Sequence, residues 1–406
     1  MNGSPASARL HCRHAARTRR SAAACGLLLL VCAGTAAGSP GVAQPSFAVS
    51  GAYRSNSGYS VGGGEASNQL SLALGMPMTW ARGRHEVALS PSLSLRRDRG
   101  TTARDDRDLG IGGSLRREGE RLSLGAGASW NEVSLLSPDA PDIGPDRTEG
   151  AQRSTRASLE ARWFASEVSA VSLVARSQRT RFDADESAGL RGSDDLVVSG
   201  NYSRALGPRV RLIGGVSRSR FTAEGTPSGS TATSAQAGLD LTLGPLWSAS
   251  ASYGRSRVER AGGATVPSTV YDVSLARRAE LGSLSLAASQ SLQSSAFGAV
   301  ARQRNWTVGW SQPFSPRLGG GVTARRQDSV DVVAGFDLQR IRTEEIAGSL
   351  SYGLSELWTL GGSAGWSRQS ALPTPLLPET RTASSWSASL SLSRRIGTLR
   401  IPGFLP

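Results

Sequence analysis

The chain contains no lysine, and its three cysteines, Cys12, Cys25 and Cys32, all lie near the N-terminus. Beyond that region, disulfides and thiolate metal sites are therefore excluded. No later segment approaches the ~18 consecutive apolar residues of a transmembrane helix. The net charge is nevertheless +14, and arginine supplies every basic side chain.

The first 43 residues have the pattern of a secretory signal peptide. A basic start (Arg9, Arg13, Arg17, Arg19 and Arg20) precedes the apolar run from Ala22 to Ala37. Such a segment is removed after export, here after Ala37 or after Ala43. Without these five arginines and with no acid lost, the net charge falls from +14 to +9. We expect residues 44–406 to form a single domain.

From about Phe47 onward the chain alternates apolar and small polar residues. In 386–392, Trp386, Ala388, Leu390 and Leu392 alternate with serines. A period of two is typical of strands, and about eighteen segments near ~10 residues match spanning strands of an outer-membrane barrel. Backbone polar groups lack partners in lipid, so spanning strands must close on themselves. The sequence predicts an all-β, antiparallel, up-and-down barrel of about 18 strands, with 16 as the alternative.

The connections between these segments alternate in length, as periplasmic turns and external loops do. The predicted short connections are 81–84, 117–120, 165–168, 206–208, 244–245, 278–282, 313–317 and 354–357. The predicted long connections are 55–67, 97–108, 132–153, 179–195, 221–234, 258–268, 293–303, 327–344 and 369–384. Both chain ends then lie in the periplasm. The ~10 residues before the first strand leave no room for a plug or passenger domain, so we expect a stand-alone pore.

All nine tryptophans fall in the apolar phase of the alternation, where the indole suits the lipid–water interface. This predicted aromatic girdle comprises Trp80, Trp130, Trp163, Trp247, Trp306, Trp310, Trp358, Trp366 and Trp386. We expect the protein to reside in the cell outer membrane, in contact with its lipid and lipopolysaccharide, after insertion by the barrel-assembly machinery.

The residues at the alternate positions, which face away from lipid, have small and polar side chains. This pattern predicts a wide aqueous lumen rather than a packed interior. Arginines of this phase are candidate pore-lining residues, because guanidinium groups in a confined pore favour anions. Towards the external mouth they are Arg96, Arg156, Arg176 and Arg325; towards the periplasm they are Arg116, Arg121, Arg162, Arg209 and Arg211. Inward acids are expected to be fewer: Glu86, Glu160, Asp240 and Asp272. The alternative is that some arginines pair with acids and only brace the wall.

A second arginine group falls in the lipid-facing phase at the external end. It comprises Arg218, Arg220, Arg255, Arg257, Arg302, Arg304 and Arg368. Arginine binds phosphate bidentately, so these side chains are candidate contacts for lipopolysaccharide phosphates.

Catalysis, cofactors, metals and nucleic acid are not expected. Gly361–Gly365 matches the G-x-S-x-G pattern of serine hydrolases, but it lies within a strand, whereas that chemistry needs a strand-to-helix elbow and a histidine base. His85, the one histidine beyond the leader, falls in the outward phase of a distant strand. A barrel wall also offers no basic helix or aromatic platform for nucleic acid.

The strand number, small polar lumen and inward arginines resemble those of outer-membrane barrels that release exopolysaccharide, including the alginate exporter. The resemblance implies a conduit that works with a periplasmic polysaccharide-export protein, with Arg96, Arg156, Arg176, Arg211 and Arg325 contacting acidic groups. A diffusion porin, general or anion-selective, is the alternative, favoured by the long acidic connection 132–153. A structural or adhesive barrel is the second alternative. We expect a monomer rather than a trimer.

Overall fold

In a computed structural model, the described part of the chain is residues 41–401 without 57–60, 62–63, 65, 100–102, 136–149, 185–189, 226–228, 261–264, 295–299, 332–339 and 374–378. It consists of strands joined by turns. The strands are β1 (Gly41–Ala43), β2 (Ser46–Arg54), β3 (Ser67–Gly75), β4 (Met78–Arg82), β5 (His85–Arg99), β6 (Ala103–Glu118), β7 (Leu122–Ser134), β8 (Gly150–Ser166), β9 (Ser169–Ala184), β10 (Ser193–Ala205), β11 (Val210–Ala223), β12 (Ser230–Thr242), β13 (Trp247–Arg260), β14 (Thr265–Ala279), β15 (Gly282–Ser294), β16 (Val300–Pro313), β17 (Leu318–Asp331), β18 (Arg340–Gly353), β19 (Trp358–Ala371), β20 (Arg381–Arg395) and β21 (Leu399–Ile401). No helix among the described residues is both long and apolar enough to cross a membrane.

The strands form a closed antiparallel barrel of 18 transmembrane strands. Each of these, together with any short strand that extends it, is called a stave below. Apart from the short strands β1, β4 and β21, each strand pairs with the next along the chain, and β20 pairs back onto β2 from Ser46↔Arg395 to Arg54↔Ser387. The short strands β1, β4 and β21 extend the staves of β2, β3 and β20 at the periplasmic end. Strand spacing of ~4.8 Å and a tilt of ~40° make the backbone cylinder roughly 35 Å across. The predicted fold class and the preferred strand number are confirmed.

All eight predicted short turns are present, but the strands between them are longer than expected. Most long strands have 13 to 17 residues, as β7 and β8 do. The predicted loop 97–108 is wrong, because β5 continues to Arg99 and β6 begins at Ala103. Continued hydrogen bonding above the membrane thus turns much of most predicted external loops into paired strand, whereas in 55–67 and 132–153 the strands include only the loop ends.

On strands around the barrel, the residues predicted to face lipid lie on the outer face and the alternate residues lie on the inner face. Leu159 and Leu173 are 60% and 59% exposed on the outer face, while Ser158 and Ser172 point inward. The tryptophans form two outward levels, with Trp130, Trp306, Trp366 and Trp386 on the external side and the others on the periplasmic side. Trp358 and Trp366 lie eight residues apart on β19, which is roughly 20 Å along the membrane normal at a ~40° tilt, close to the ~25 Å apolar band of such barrels.

Strands β20 and β21 together form the last stave of the barrel. Between them, after Arg395, the pairing register with the N-terminal strands is interrupted. Register runs from Ser46↔Arg395 to Ala43↔Leu399, so the C-terminal stave holds one extra residue. Gly397 has φ 24°, a conformation that glycine adopts readily. The last stave therefore continues beyond the irregularity to Ile401, beside β1.

We expect the signal peptide to be removed after Ala37 rather than after Ala43. Cleavage after Ala43 would delete β1, which pairs with both β21 and β4. Gly41 also faces the Trp80 indole so closely that a side chain at position 41 would collide with it. The intact mass of the purified protein tests this expectation, since a mass corresponding to an N-terminus at Gln44 would contradict it.

Candidate pore lumen

The inner wall is built from small hydroxyl-bearing side chains paired across strands. Serines directly opposite each other hydrogen bond at 2.6 to 2.8 Å. These pairs are Ser50–Ser71, Ser217–Ser234, Ser250–Ser274, Ser283–Ser311 and Ser363–Ser389. Such short side chains cannot fill a cylinder roughly 35 Å across. The barrel wall itself therefore leaves a wide polar bore.

A concave region of this wall, the basic recess, is defined by Ser129, Arg156, Ser158, Arg176 and Gln178. It encloses about 550 Å³. Arg156 lies opposite Gln178, and Arg176 lies opposite Ser158 on the neighbouring strand. The two arginines are therefore diagonal neighbours, a spacing that long side chains bridge.

The charge of the basic recess is not neutralised within the described part of the chain. Arg156 Nε donates a hydrogen bond to Gln178 Oε1 at 3.0 Å, and the side chains of Arg156 and Arg176 are exposed. Neither Arg156 nor Arg176 forms an ion pair with a described residue. Two guanidinium forks on one concave surface suit a carboxylate or a phosphate, because each fork can bind two oxygens of one group.

A second concave region, the lower recess, lies nearer the periplasm. It encloses about 290 Å³ and includes Glu160, Arg162, Ser172, Asn201 and Gln236. Arg162 also lies over the Phe164 ring, with 5.0 Å between the guanidinium carbon and the ring centroid. Because Glu160 and Arg162 offset each other, this region carries no net charge from its ionised groups.

Of the remaining predicted lumen arginines, Arg116, Arg211 and Arg325 lie in the inward phase of strands, whereas Arg121 and Arg209 lie in turns. Arg116 forms an ion pair with Glu118 at 2.8 Å. Arg325 donates to Gln327 at 2.7 Å and faces Glu345 in register. Arg121, Arg209 and Arg211 are exposed at the periplasmic end without an ion pair to a described residue. Of the predicted lumen arginines, those without an ion pair to a described residue include Arg156 and Arg176 in the basic recess, Arg121, Arg209 and Arg211 at the periplasmic end, and Arg325.

Arg96 is in the inward phase but is not presented to a solute. Its side chain is 6% exposed and forms an ion pair with Asp108, whose side chain is 17% exposed. Asp108 also accepts a hydrogen bond from the Ser134 backbone N–H at 3.0 Å. This geometry favours the bracing alternative for Arg96 over the anion-contact role.

Sequence reasoning missed several inward acids. The structure adds to the inner wall Asp98, Asp106, Asp108, Glu118, Asp195 and Glu345. Most of them lie in segments that were predicted to be loops or turns. Extending the alternation past Leu95 would have placed Asp98 and, across the strand pair, Asp106 and Asp108 on the inner face.

The seven predicted lipid-facing arginines all lie in the outward phase at the external end, in two groups. Arg218 and Arg220 on β11 and Arg255 and Arg257 on β13 are exposed and flank β12. Arg302, Arg304 and Arg368 belong to a denser cluster on β16–β19. Trp80 departs from the other predicted girdle residues, because it is only 4% exposed and is covered in part by Gly41.

The hydrolase-like motif does not form a catalytic pair. Ser363 points inward and shares a hydrogen bond with Ser389 at 2.7 Å. His85 lies in the outward phase of β5, opposite Arg82 and Arg117. Within the described residues, no group of three or more His, Cys, Asp or Glu side chains is arranged to hold a metal ion.

Comparison with known proteins finds similarity only at the level of solved structures. No family model and no curated protein matches the chain. Acinetobacter baumannii OccAB2 is 8% identical with a TM-score of 0.46, covering 87% of this chain and 98% of its own. Pseudomonas aeruginosa OccK2 (OpdF), solved with glucuronate, is 14% identical with a TM-score of 0.46, covering 88% and 98%. The FrpB iron transporter of Neisseria meningitidis is 10% identical with a TM-score of 0.45, covering 88% and 81%.

The class of the protein follows from its own strand pairing and outer surface. Eighteen staves close without an edge, the outer face carries an apolar belt between two levels of tryptophan, and the inner face is polar. A cylinder with an apolar exterior and a wet interior is the architecture that spans a bacterial outer membrane. The protein is an outer-membrane β-barrel with a pore-type lumen.

Proposed function

We propose that the protein is a diffusion channel that admits small anionic solutes across the outer membrane. The basic recess carries this proposal, because Arg156 and Arg176 place two positive charges on a concave, water-exposed part of the wall. Fixed charge of one sign in a confined pore raises the local concentration of counter-ions. The serine and glycine wall supplies polarity without filling the bore.

The position of the basic recess also favours selection. Arg156 is held by Gln178, while Arg176 is free of ion pairs among the described residues, so one guanidinium is oriented and the other is adaptable. A solute with one carboxylate or phosphate can engage both forks and still retain water on its remaining surface. Binding of this kind favours entry but remains weak enough for release, as conduction requires.

Export of an acidic polysaccharide, implied by the resemblance described above, would use the same wide polar bore. It gains no support from the comparisons with known proteins. The two functions differ in what drives transport, because an exporter depends on a periplasmic partner whereas a diffusion channel conducts alone. A structural or adhesive barrel would conduct little.

Planar-bilayer recording of the purified protein tests the proposed function. We expect constitutive conductance and, in a salt gradient, a reversal potential displaced towards the anion. Little or no conductance would support a structural barrel. A deletion strain that lost surface polysaccharide but kept normal uptake of small anions would support export instead.

A further inference from the structure

The lipid-facing wall carries a dense basic cluster, the outer arginine patch: Arg302, Arg304, Arg326, Arg340, Arg342 and Arg368. Its members lie on β16–β19, in the outward phase. Trp306 is opposite Arg326, and Trp366 is two residues from Arg368 on the same strand. The patch therefore begins where the external level of tryptophans ends.

The charge of this patch is strongly unbalanced. Among the described residues of β16–β19, six outward guanidinium groups share the surface with two carboxylates, those of Asp328 and Glu344, which leaves four positive charges in excess. At the external ends of β9 and β10, by contrast, Arg179 and Arg181 are both paired with Asp194. Excess positive charge is therefore not uniform around the outer rim, and the other outward basic group, Arg218, Arg220, Arg255 and Arg257, lies on β11 and β13.

The two acids orient the arginines instead of neutralising them. The Asp328 side chain is 9% exposed and contacts Arg342 Nε at 2.8 Å and an Arg326 terminal nitrogen at 3.4 Å. Arg304 Nε donates to Gln290 Oε1 at 2.6 Å, and Gln290 in turn donates to the Thr269 carbonyl at 2.6 Å. Side chains fixed in this way lose little entropy when they bind a ligand.

Several donors of the patch lack an acceptor or a carboxylate partner among the described residues. The buried Nε atoms of Arg326 and Arg340 have no hydrogen-bond partner among the described residues. Arg368 is exposed and forms no ion pair with a described residue. A buried N–H without an acceptor is costly, and a phosphate oxygen is a strong acceptor for it.

The location of the patch identifies the ligand. Arg326 lies over the Trp306 ring at 5.5 Å from the centroid, at the boundary between the apolar belt and the polar head groups. On the outer face of this membrane, the anionic groups at that depth are the phosphates of lipid A. We propose that the outer arginine patch is a binding site for the phosphate groups of lipid A in the outer leaflet.

The experiment measures binding of bisphosphorylated lipid A to the delipidated full-length barrel in detergent. The variant is Arg340→Gln with Arg368→Gln, because neither side chain forms an ion pair with a described residue. The control is Arg117→Gln with Arg204→Gln, which removes the same charge from the outward phase at the periplasmic end. We expect the patch variant to bind at least about tenfold more weakly, because each glutamine removes a positive charge and its bidentate donors from the site, and the control to change less than about twofold.

Other measurements separate this site from weaker alternatives. Dephosphorylated lipid A should bind poorly, and inorganic phosphate should compete only at far higher concentration. Equal binding of both lipids, equal weakening by the control, or competition by phosphate at matching concentration would each overturn the proposal. Arg340→Lys with Arg368→Lys should bind at an intermediate level, since lysine keeps the charge but not the bidentate geometry. Unchanged heat-modifiable gel migration and conductance show that each variant is folded.

Discussion

Changing Arg156→Glu and Arg176→Glu together is expected to lower the anion-to-cation permeability ratio of the channel about threefold or more at low salt. Both side chains line the basic recess and are exposed to the bore. The double change replaces two positive charges with two negative ones on a concave wall. The reversal potential in a salt gradient, recorded in planar bilayers, measures the effect.

Salt concentration and position provide the controls for this prediction. At about 0.01 M salt the screening length is ~30 Å, comparable to the bore, whereas at 1 M it is ~3 Å and the effect should nearly vanish. Arg218→Glu with Arg220→Glu makes the same charge change at the same end of the barrel, but on the outer face. Equal shifts in the two double variants would show that Arg156 and Arg176 do not select the permeating ions.

Much of the fold could be predicted from the sequence because one periodicity repeats around the whole barrel. A stave with one face in lipid and one in water must alternate strictly, so segments such as 386–392 identify both the strand and its orientation. Short turns were also recognisable, as at Gly83, whose φ of 56° suits glycine. The tryptophans then fixed which phase faces lipid.

The ends of the strands could not be predicted in the same way. Above the membrane both faces of a strand meet water, so alternation no longer distinguishes paired strand from loop. Eight of the twelve residues 97–108 are charged and the segment was predicted to be a loop, yet Arg97 pairs with Asp105 and Arg99 with Ala103 in register. In β1 and β21, three residues each leave too short a pattern to recognise.

The candidate site was only partly predictable from the sequence. The alternation within a strand shows which face of the barrel wall a side chain lies on, but not which side chain of a neighbouring strand it contacts. Arg96, Arg156 and Arg176 all fall in the inward phase, and nothing local distinguishes them. Their roles separate only when the cross-strand neighbours are known: Asp108 beside Arg96, Gln178 beside Arg156 and Ser158 beside Arg176. The same limit applies to the outer arginine patch. Arg302, Arg304 and Arg368 were predicted, but not their grouping with Arg326 and Arg342, which both contact Asp328 from its own strand and a neighbouring one.

Breaking the ion pair between Arg96 and Asp108 is expected to destabilise the barrel. Asp108→Ala is expected to reduce the free energy of unfolding by about 3 kcal/mol, because it leaves a buried guanidinium without its carboxylate. The Arg96 side chain is 6% exposed, so water cannot replace the lost partner fully. The change also removes the acceptor of the Ser134 N–H, which lies at the external end of β7. Urea unfolding in detergent, followed by tryptophan fluorescence, measures the loss.

Two further variants separate the charge from the hydrogen bond. Asp108→Asn keeps an oxygen for the Ser134 N–H but removes the negative charge, so most of the loss should persist if the ion pair dominates. Arg96→Met with Asp108→Leu removes both charges and should recover much of the stability, since apolar pairs of similar volume often replace buried ion pairs without loss. A loss below about 0.5 kcal/mol for Asp108→Ala, a size typical of exposed pairs, would mean that water screens this contact in solution. Arg96 would then be accessible to solutes, and its original assignment to the anion-selecting wall would regain support.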